Sequence, residues 1–370
     1  MEQIVILVVW AAIFQGIFLS AMFISLDDSK RKSNTLLGLF IISMLIEPIG
    51  IFLPYDSISG YSLIDYFSTP ETKILFPLLF LHYVLNKLGA ASKYGSFLKL
   101  NYLLGIIVVS FTIINLLMFV FTDQALIGYI SPKKIELIHL IQQTYGFILA
   151  VFVLIASLIE INRYKKIIKD RYSDLGLLAI AWLWRFILML VPAVILWGAE
   201  TARMYVGHFT GRYTTWNLTT VIWGIIAILI YYVSYKAYRK KDLLDGLQPI
   251  PESQIANDNQ DSGNLAKQLT HAMDVTKLYL KEDLTIYDLA KEIESTTRKV
   301  SNCINTHFQS NFSEWVNRYR VEEVKLRFQT EGANNLTIEA IGQEAGFKSR
   351  SAMYAAFKRF TGQSPAYFKR

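Results

Sequence analysis

Two rhythms of hydrophobic and polar positions divide this chain. Up to about residue 241 the apolar residues come in long runs, and beyond 265 they return every three or four positions. The first run, IVILVVWAAIFQGIFLSAMFISL, is twenty-three residues without a charge. A helix needs roughly 20 predominantly apolar residues to cross the hydrocarbon core of a bilayer. Seven stretches read as such helices: 4–26, 35–54, 73–88, 100–122, 137–160, 175–198 and 215–236. The third is short and is interrupted by Pro77. The first has no basic leader or small-residue cleavage site, and its run is too long for a signal peptide.

Composition agrees with this division. The 370 residues are 53% hydrophobic and only 18% charged, an unusual balance for a soluble protein. The net charge of +7 is unevenly placed. Loops after the first, third, fifth and seventh stretches hold about 15 Lys and Arg, in segments such as SKRK, NRYKKIIKDR and YKAYRKK. The alternate loops hold about 5, beside acids such as Asp56, Asp65, Glu71, Asp123 and Glu200. Cytoplasmic loops collect Lys and Arg. The expectation is therefore a seven-span domain over 1–241 in an inner (cytoplasmic) membrane, with the N-terminus outside and everything after 236 in the cytoplasm. One cysteine, Cys303, excludes an internal disulfide.

Ionisable side chains inside a span are costly and mark functional candidates. Three stand out: Glu47, which precedes Pro48, His82, and Arg185 in LAIAWLWRFILML. One reading makes them part of a sensing pocket for a small-molecule or membrane signal, or a Glu47–Arg185 ion pair. The other makes them structural polar packing or snorkelling groups.

Residues 242–264, DLLDGLQPIPESQIANDNQDSGN, carry prolines, glycines and acids without apolar periodicity, the composition of a flexible linker. From 265 the spacing is helical. Leu284, Ile286, Leu289, Ala290 and Ile293 share one side of a first helix, and Val300, Cys303 and Ile304 one side of the next. A longer helix, FSEWVNRYRVEEVKLRF, runs to a break at EGANN.

The pattern then starts again. LTIYDLAKEIE at 284 returns as LTIEAIGQEAG at 336, and past the turn Val300 corresponds to Met353 and Ile304 to Phe357. Such a repeat predicts two helix-turn-helix units, about 284–308 and 336–360, joined by one linker helix. Gly346 suits a turn with positive φ, and Ser349 suits an N-cap. The fold class is all-α: a polytopic transmembrane bundle followed by a soluble double helix-turn-helix domain over 265–370.

The stretches DLAKEI, VSNCINTHFQSNFSEWVNRYRVEEVK and IEAIGQEAGFKSRSAMYAAFKRFTGQSPAYFKR resemble the DNA-binding domain of AraC/XylS-type transcription regulators. The GF-x-S turn and the FK-x-x-TG-x-SP-x-YF ending carry most of the likeness, which covers about 105 of the 370 residues. Gln309 stands where that family usually has glycine, Gly342 replaces a common alanine, and Ala355 fills a position often held by a polar base reader. The resemblance implies two helices in successive major-groove segments of duplex promoter DNA, and RNA polymerase as a partner.

Bases are read by outward side chains on the first turns of a groove helix. Those positions hold Arg298, Ser301 and Asn302 in the first unit and Arg350, Ser351 and Tyr354 in the second. Lys299, Asn305, Lys348, Lys358 and Arg359 are the phosphate-contact candidates. An exposed Lys or Arg on a helix is also commonly just solvated. Residues 265–370 hold sixteen Lys and Arg against twelve Asp and Glu, so placement argues for DNA more than bulk charge does. No HExxH, GxSxG or Walker loop and no metal-spaced His, Asp and Glu cluster is present, so neither enzyme chemistry nor a cofactor or metal is expected. The alternatives are a membrane transporter or enzyme with a regulatory tail, and a tail that binds proteins. Signalling by a homodimer and release by proteolysis are both compatible with the linker.

Overall fold

The computed structural model describes residues 2–25, 31–51, 71–122, 129–173, 181–211, 218–239, 262–330 and 336–369. All regular structure among them is helical. Most of the expected linker, the EGANN break and the loops holding Asp56, Asp65 and Asp123 lie outside the described residues. The chain divides into two compact units, Met1–Ile161 with Ala181–Pro249, and Asn162–Ile180 with Ile250–Arg370.

The first unit contains α1 (Glu2–Ser25), α2 (Arg31–Ile51), α3 (Leu75–Lys87), α4 (Gly95–Thr122), α5 (Pro132–Arg171, whose last residues belong to the second unit), α6 (Ala181–Thr210) and α7 (Thr219–Arg239). Each of the seven apolar stretches falls on one of these helices. Only three are long and apolar enough to cross a membrane among the described residues: Ala91–Thr122, Lys133–Arg171 and Leu183–Thr210. The expectation of seven spans is therefore supported for three helices only. The 13 residues of α3 rise only about 20 Å, against roughly 30 Å of hydrocarbon. Shorter apolar stretches, Val9–Ser25, Lys32–Ile46 and Val221–Val233, occupy α1, α2 and α7.

Small residues let α1 and α2 approach closely, as in membrane helix pairs. A Cβ on Gly38 would stand 2.9 Å from the Ser20 carbonyl oxygen, and Ser20 Oγ donates to the Gly38 carbonyl at 2.7 Å. Leu78, Leu81, Val84 and Leu85 of α3 are fully buried, and Phe80 packs on Phe40 of α2 and Phe186 of α6, ring centroids 5.2 and 5.5 Å away. By contrast α4 exposes Leu103, Ile106, Ile107, Ile114, Leu117, Val120 and Phe121.

The second unit is built from α8 (Ser262–Asp274), α9 (Ile286–Glu292), α10 (Thr297–His307), α11 (Phe312–Phe328), α12 (Ile338–Glu344), α13 (Arg350–Thr361) and α14 (Pro365–Phe368). Helix α8 begins three residues before the expected boundary at 265 and stops at Asp274, because Lys277 turns left-handed at φ 50. From α9 onward every helix starts on a side-chain cap. Thr285 accepts from the Asp288 amide while Asp288 accepts from that of Thr285, closing a capping box. Thr296, Asn311, Thr337, Ser349 and Ser364 cap the helices that follow. Each such cap is worth about 1 kcal/mol.

Two small cores result. Leu269, Leu284, Leu289, Val300, Cys303, Ile304, Trp315 and Val316 form one, and Val321, Val324, Ile341, Phe347, Met353 and Phe357 the other. Both draw on α11, which is therefore the joint between them. The positions predicted to match across the repeat do match in burial: Val300 and Met353, and Ile304 and Phe357, are fully enclosed. Burial also pushes the Cys303 thiol pKa up, in keeping with a small core residue.

Candidate nucleic-acid interface

Each half of the repeat makes the same turn at the same two places. Glu294 and Gly346 sit between the paired helices with φ of 49 and 89, and Gln309 and Gly362 follow the second helix with φ of 49 and 75. The second half fills both left-handed positions with glycine, which adopts them at no steric cost. The first half holds them with ordinary side chains. Gln309 thus makes in the first half the left-handed turn that Gly362 makes in the second.

These turns present the first turns of α10 and α13. On α10, Arg298, Asn302 and Asn305 are exposed, while Lys299 and Ser301 are half-buried. The Asn305 amide donates to Ser301 Oγ at 3.4 Å. On α13, Arg350 and Ser351 are exposed and Tyr354 is half-buried. The Arg350 guanidinium lies over the Tyr354 ring, 5.0 Å from its centroid, and is paired with Glu339 at 2.6 Å. Ser351 Oγ is 3.1 Å from the capping Ser349 Oγ.

Of the phosphate candidates, Lys348 pairs with Asp283 at 2.8 Å, Arg359 pairs with Glu314, and Lys358 is exposed at the C-terminal end of α13. Exposed pairs of this kind contribute little to stability, so their cations can be redirected to a phosphate at small cost. Ala355 is exposed at the repeat equivalent of Asn302. Both first turns therefore offer hydrogen-bonding and cationic side chains to a groove, and α13 adds an aromatic face.

Two features of this unit were missed from the sequence. Arg320 of α11 is 1% exposed. Its Nε donates to the Tyr279 carbonyl at 2.7 Å and its Nη2 to that of Lys281 at 2.6 Å, and it lies over the Phe347 ring at 5.8 Å. The available signal was its place on the apolar side of α11, in step with Val316 and Val324. Glu323, also buried, accepts from the Tyr279 hydroxyl at 2.8 Å and from Arg327 Nε at 2.9 Å. Burial alone would raise its pKa, but those hydrogen bonds outweigh it and hold the carboxyl below its usual range.

The three candidates in the first unit are placed differently from one another. His82 Nδ1 lies 3.0 Å from the Tyr102 hydroxyl. Arg185 is on an exposed face of α6. Glu47 lies on α2, its side chain outside the described residues. Among the described residues, polar contacts also form at Glu71, Lys73 and Gln143. Lys73 pairs with Glu71 at 2.9 Å, and Trp197 Nε1 donates to Gln143 at 2.9 Å. Sequence reading assigns Glu71 to a loop and Lys73 to the first position of the third apolar stretch.

Residues 289–370 match the helix-turn-helix domain family. Over 114 residues, 30% of this chain, the sequence is 25% identical to the raffinose operon transcriptional regulatory protein of Pediococcus pentosaceus. The chain spans 40% of the length of that relative. A solved structure of a Listeria innocua protein of unknown function is 19% identical, covering 28% of this chain and 93% of that one, with a TM-score of 0.25.

Proposed function

We propose that this chain is a membrane-anchored transcription regulator that binds duplex promoter DNA with α10 and α13. The observation that carries the reading is the duplicated helix-turn-helix, with exposed polar and cationic side chains on the first turn of each second helix. The helix-turn-helix family match and the regulatory relative support it. Base contacts fall to Arg298, Ser301, Asn302, Arg350, Ser351 and Tyr354, and phosphate contacts to Lys299, Asn305, Lys348, Lys358 and Arg359. The resemblance to AraC/XylS-type regulators adds RNA polymerase as a partner. The protein is a regulator rather than an enzyme.

The membrane half of the proposal rests on separate grounds. Three helices have the length and apolarity of spans, and α4 exposes large apolar side chains along its length. Such a helix is at home in lipid. The loop charges support an orientation with the N-terminus outside and the C-terminal unit in the cytoplasm, and the apolar helices are read as a sensor for a membrane or small-molecule signal.

The test is fluorescence anisotropy of the full chain in detergent micelles with a labelled random duplex at rising salt. Saturable binding that weakens steeply with salt is expected, because phosphate contacts release counterions. Absence of salt-sensitive binding would overturn the proposal.

A further inference from the structure

The second residue after the end of α5, Ser173, is built into the second unit. Ser173 is 1% exposed and its polar groups are engaged there. Its amide and hydroxyl both donate to the Leu284 carbonyl, at 3.2 and 2.8 Å. Its own carbonyl accepts from Ser313 Oγ at 3.2 Å and from Asn317 Nδ2 at 3.1 Å. Tyr172 forms an isolated antiparallel bridge with Thr285, the cap of α9. Four hydrogen bonds reach across more than a hundred residues of sequence. Their partners are as enclosed as Ser173 itself: Leu284 and Ser313 are each 1% exposed.

The position of this turn matters more than its strength. Ser173 lines a cavity of about 150 Å³ together with Glu314, Lys348, Ala355 and Arg359. Lys348 and Arg359 are two of the phosphate candidates, and Ala355 is the repeat equivalent of the base-reading candidate Asn302. Lys348 pairs with Asp283, next to Leu284, and Arg359 pairs with Glu314, next to Ser313. The cavity bordered by Lys348 and Arg359 thus has Ser173 on its wall.

We propose that the surface formed by Leu284, Ser313 and Asn317 is a docking site for the Tyr172–Ser173 turn of this same chain, and that the docked turn holds α13 in a state that binds DNA weakly. The inference rests on the reading of this unit as a duplex-binding module. Undocking frees the approach to Lys348 and Arg359. The turn follows directly on the helix Pro132–Arg171, whose last residues belong to the same unit as the turn.

The test uses the full chain in detergent micelles and a labelled random duplex. Ser313→Ala with Asn317→Ala removes both donors to the Ser173 carbonyl and should tighten binding on the order of ten-fold, from two lost hydrogen bonds in the weak-binding state. A reversible version guards against misfolding: Ser173→Cys with Ser313→Cys in a Cys303→Ser background. Oxidation should weaken binding, and reduction of the same sample should restore it. Equal binding in both redox states, or tighter binding on oxidation, overturns the docking proposal. Failure of both the unmodified chain and the Ser313→Ala, Asn317→Ala variant to bind the duplex would instead sink the DNA-binding reading on which it rests.

Discussion

Arg320 Nε lies 2.7 Å from the carbonyl oxygen of Tyr279, inside a unit where the arginine is almost wholly enclosed. This contact joins α11 to the loop ahead of the first helix-turn-helix, while the same guanidinium covers Phe347 of the second. A buried cation without its partners is expensive, and buried carbonyls without donors are too. Arg320→Met should therefore destabilise the C-terminal unit by about 3 kcal/mol. Hydrogen exchange of α11 amides in the full chain measures this; protection equal to that of the parent would count against the role given to Arg320.

The left-handed turns make a graded set of substitutions. At Gly346 a Cβ would stand 2.3 Å from the Tyr279 carbonyl oxygen, whereas at Gly362 nothing lies within 4 Å. Gly362→Ala should cost only the backbone strain, about 1 kcal/mol, and Gly346→Ala well above that. Gln309→Gly should stabilise by about 0.5 kcal/mol, since relief of its strain exceeds the entropy lost by glycine. Thermal unfolding followed by exchange in the same unit orders the three variants. Equal losses for both alanines would contradict the packing at Gly346.

The same positions explain what the sequence could disclose. The repeat was legible because Val300 and Met353, or Leu289 and Ile341, must point inward at fixed spacing whatever their neighbours do. Gly346 and Ser349 were legible because their chemistry is local. Arg320 was hidden since an arginine on a helix reads as solvated until its carbonyl partners, forty residues upstream, are placed beside it. Ser173 was hidden for the same reason at greater range. Helix ends were misjudged where charge and helix part company: α5 continues through NRYKKIIKDR to Arg171, past the point where its apolar stretch stops.

Gly342, where alanine is common among similar regulators, follows from its neighbour. A Cβ there would lie 2.4 Å from Met353 Sδ, and Met353 is fully buried. The first half of the repeat uses Ala290 and Val300 at the matching places. Gly342→Ala alone should destabilise by about 1–2 kcal/mol, and Met353→Val should offset part of that loss when combined with it. A double-mutant cycle of unfolding midpoints reads the coupling; strict additivity would refute the steric account.

Acid should weaken the C-terminal unit. Burial acts to raise the pKa of Asp288, but hydrogen bonds from Lys281 and Thr285 hold it below the usual carboxylate range, as Tyr279 and Arg327 do for Glu323. A carboxyl depressed in the folded state contributes stability above its unfolded pKa, near 4, and that contribution is lost as pH falls through the folded value. Stability should therefore be flat at neutral pH and decline below about pH 4–5. Glu323→Gln should lower stability at pH 7 and shallow the decline, as read by urea unfolding at several pH values.

Contacts to phosphate and to bases should separate in solution. Lys299→Gln or Lys358→Gln should weaken binding to all duplexes alike and reduce the salt slope by about 1 each. Arg298→Ala or Arg350→Ala should instead change which sequences are preferred, by about 1–3 kcal/mol at the affected base pair. Selection from a random duplex pool distinguishes the two classes. Identical behaviour of all four variants would reject the assignment of roles.

The most direct test maps the DNA crosslinked in cells to a tagged full-length chain, with the membrane fraction sequenced separately. A triple variant, Lys348→Ala, Arg350→Ala and Tyr354→Ala, serves as control. The account predicts discrete enriched sites recovered with the membrane fraction and lost in the control. Enrichment absent from the full-length chain, or unchanged in the control, would contradict it.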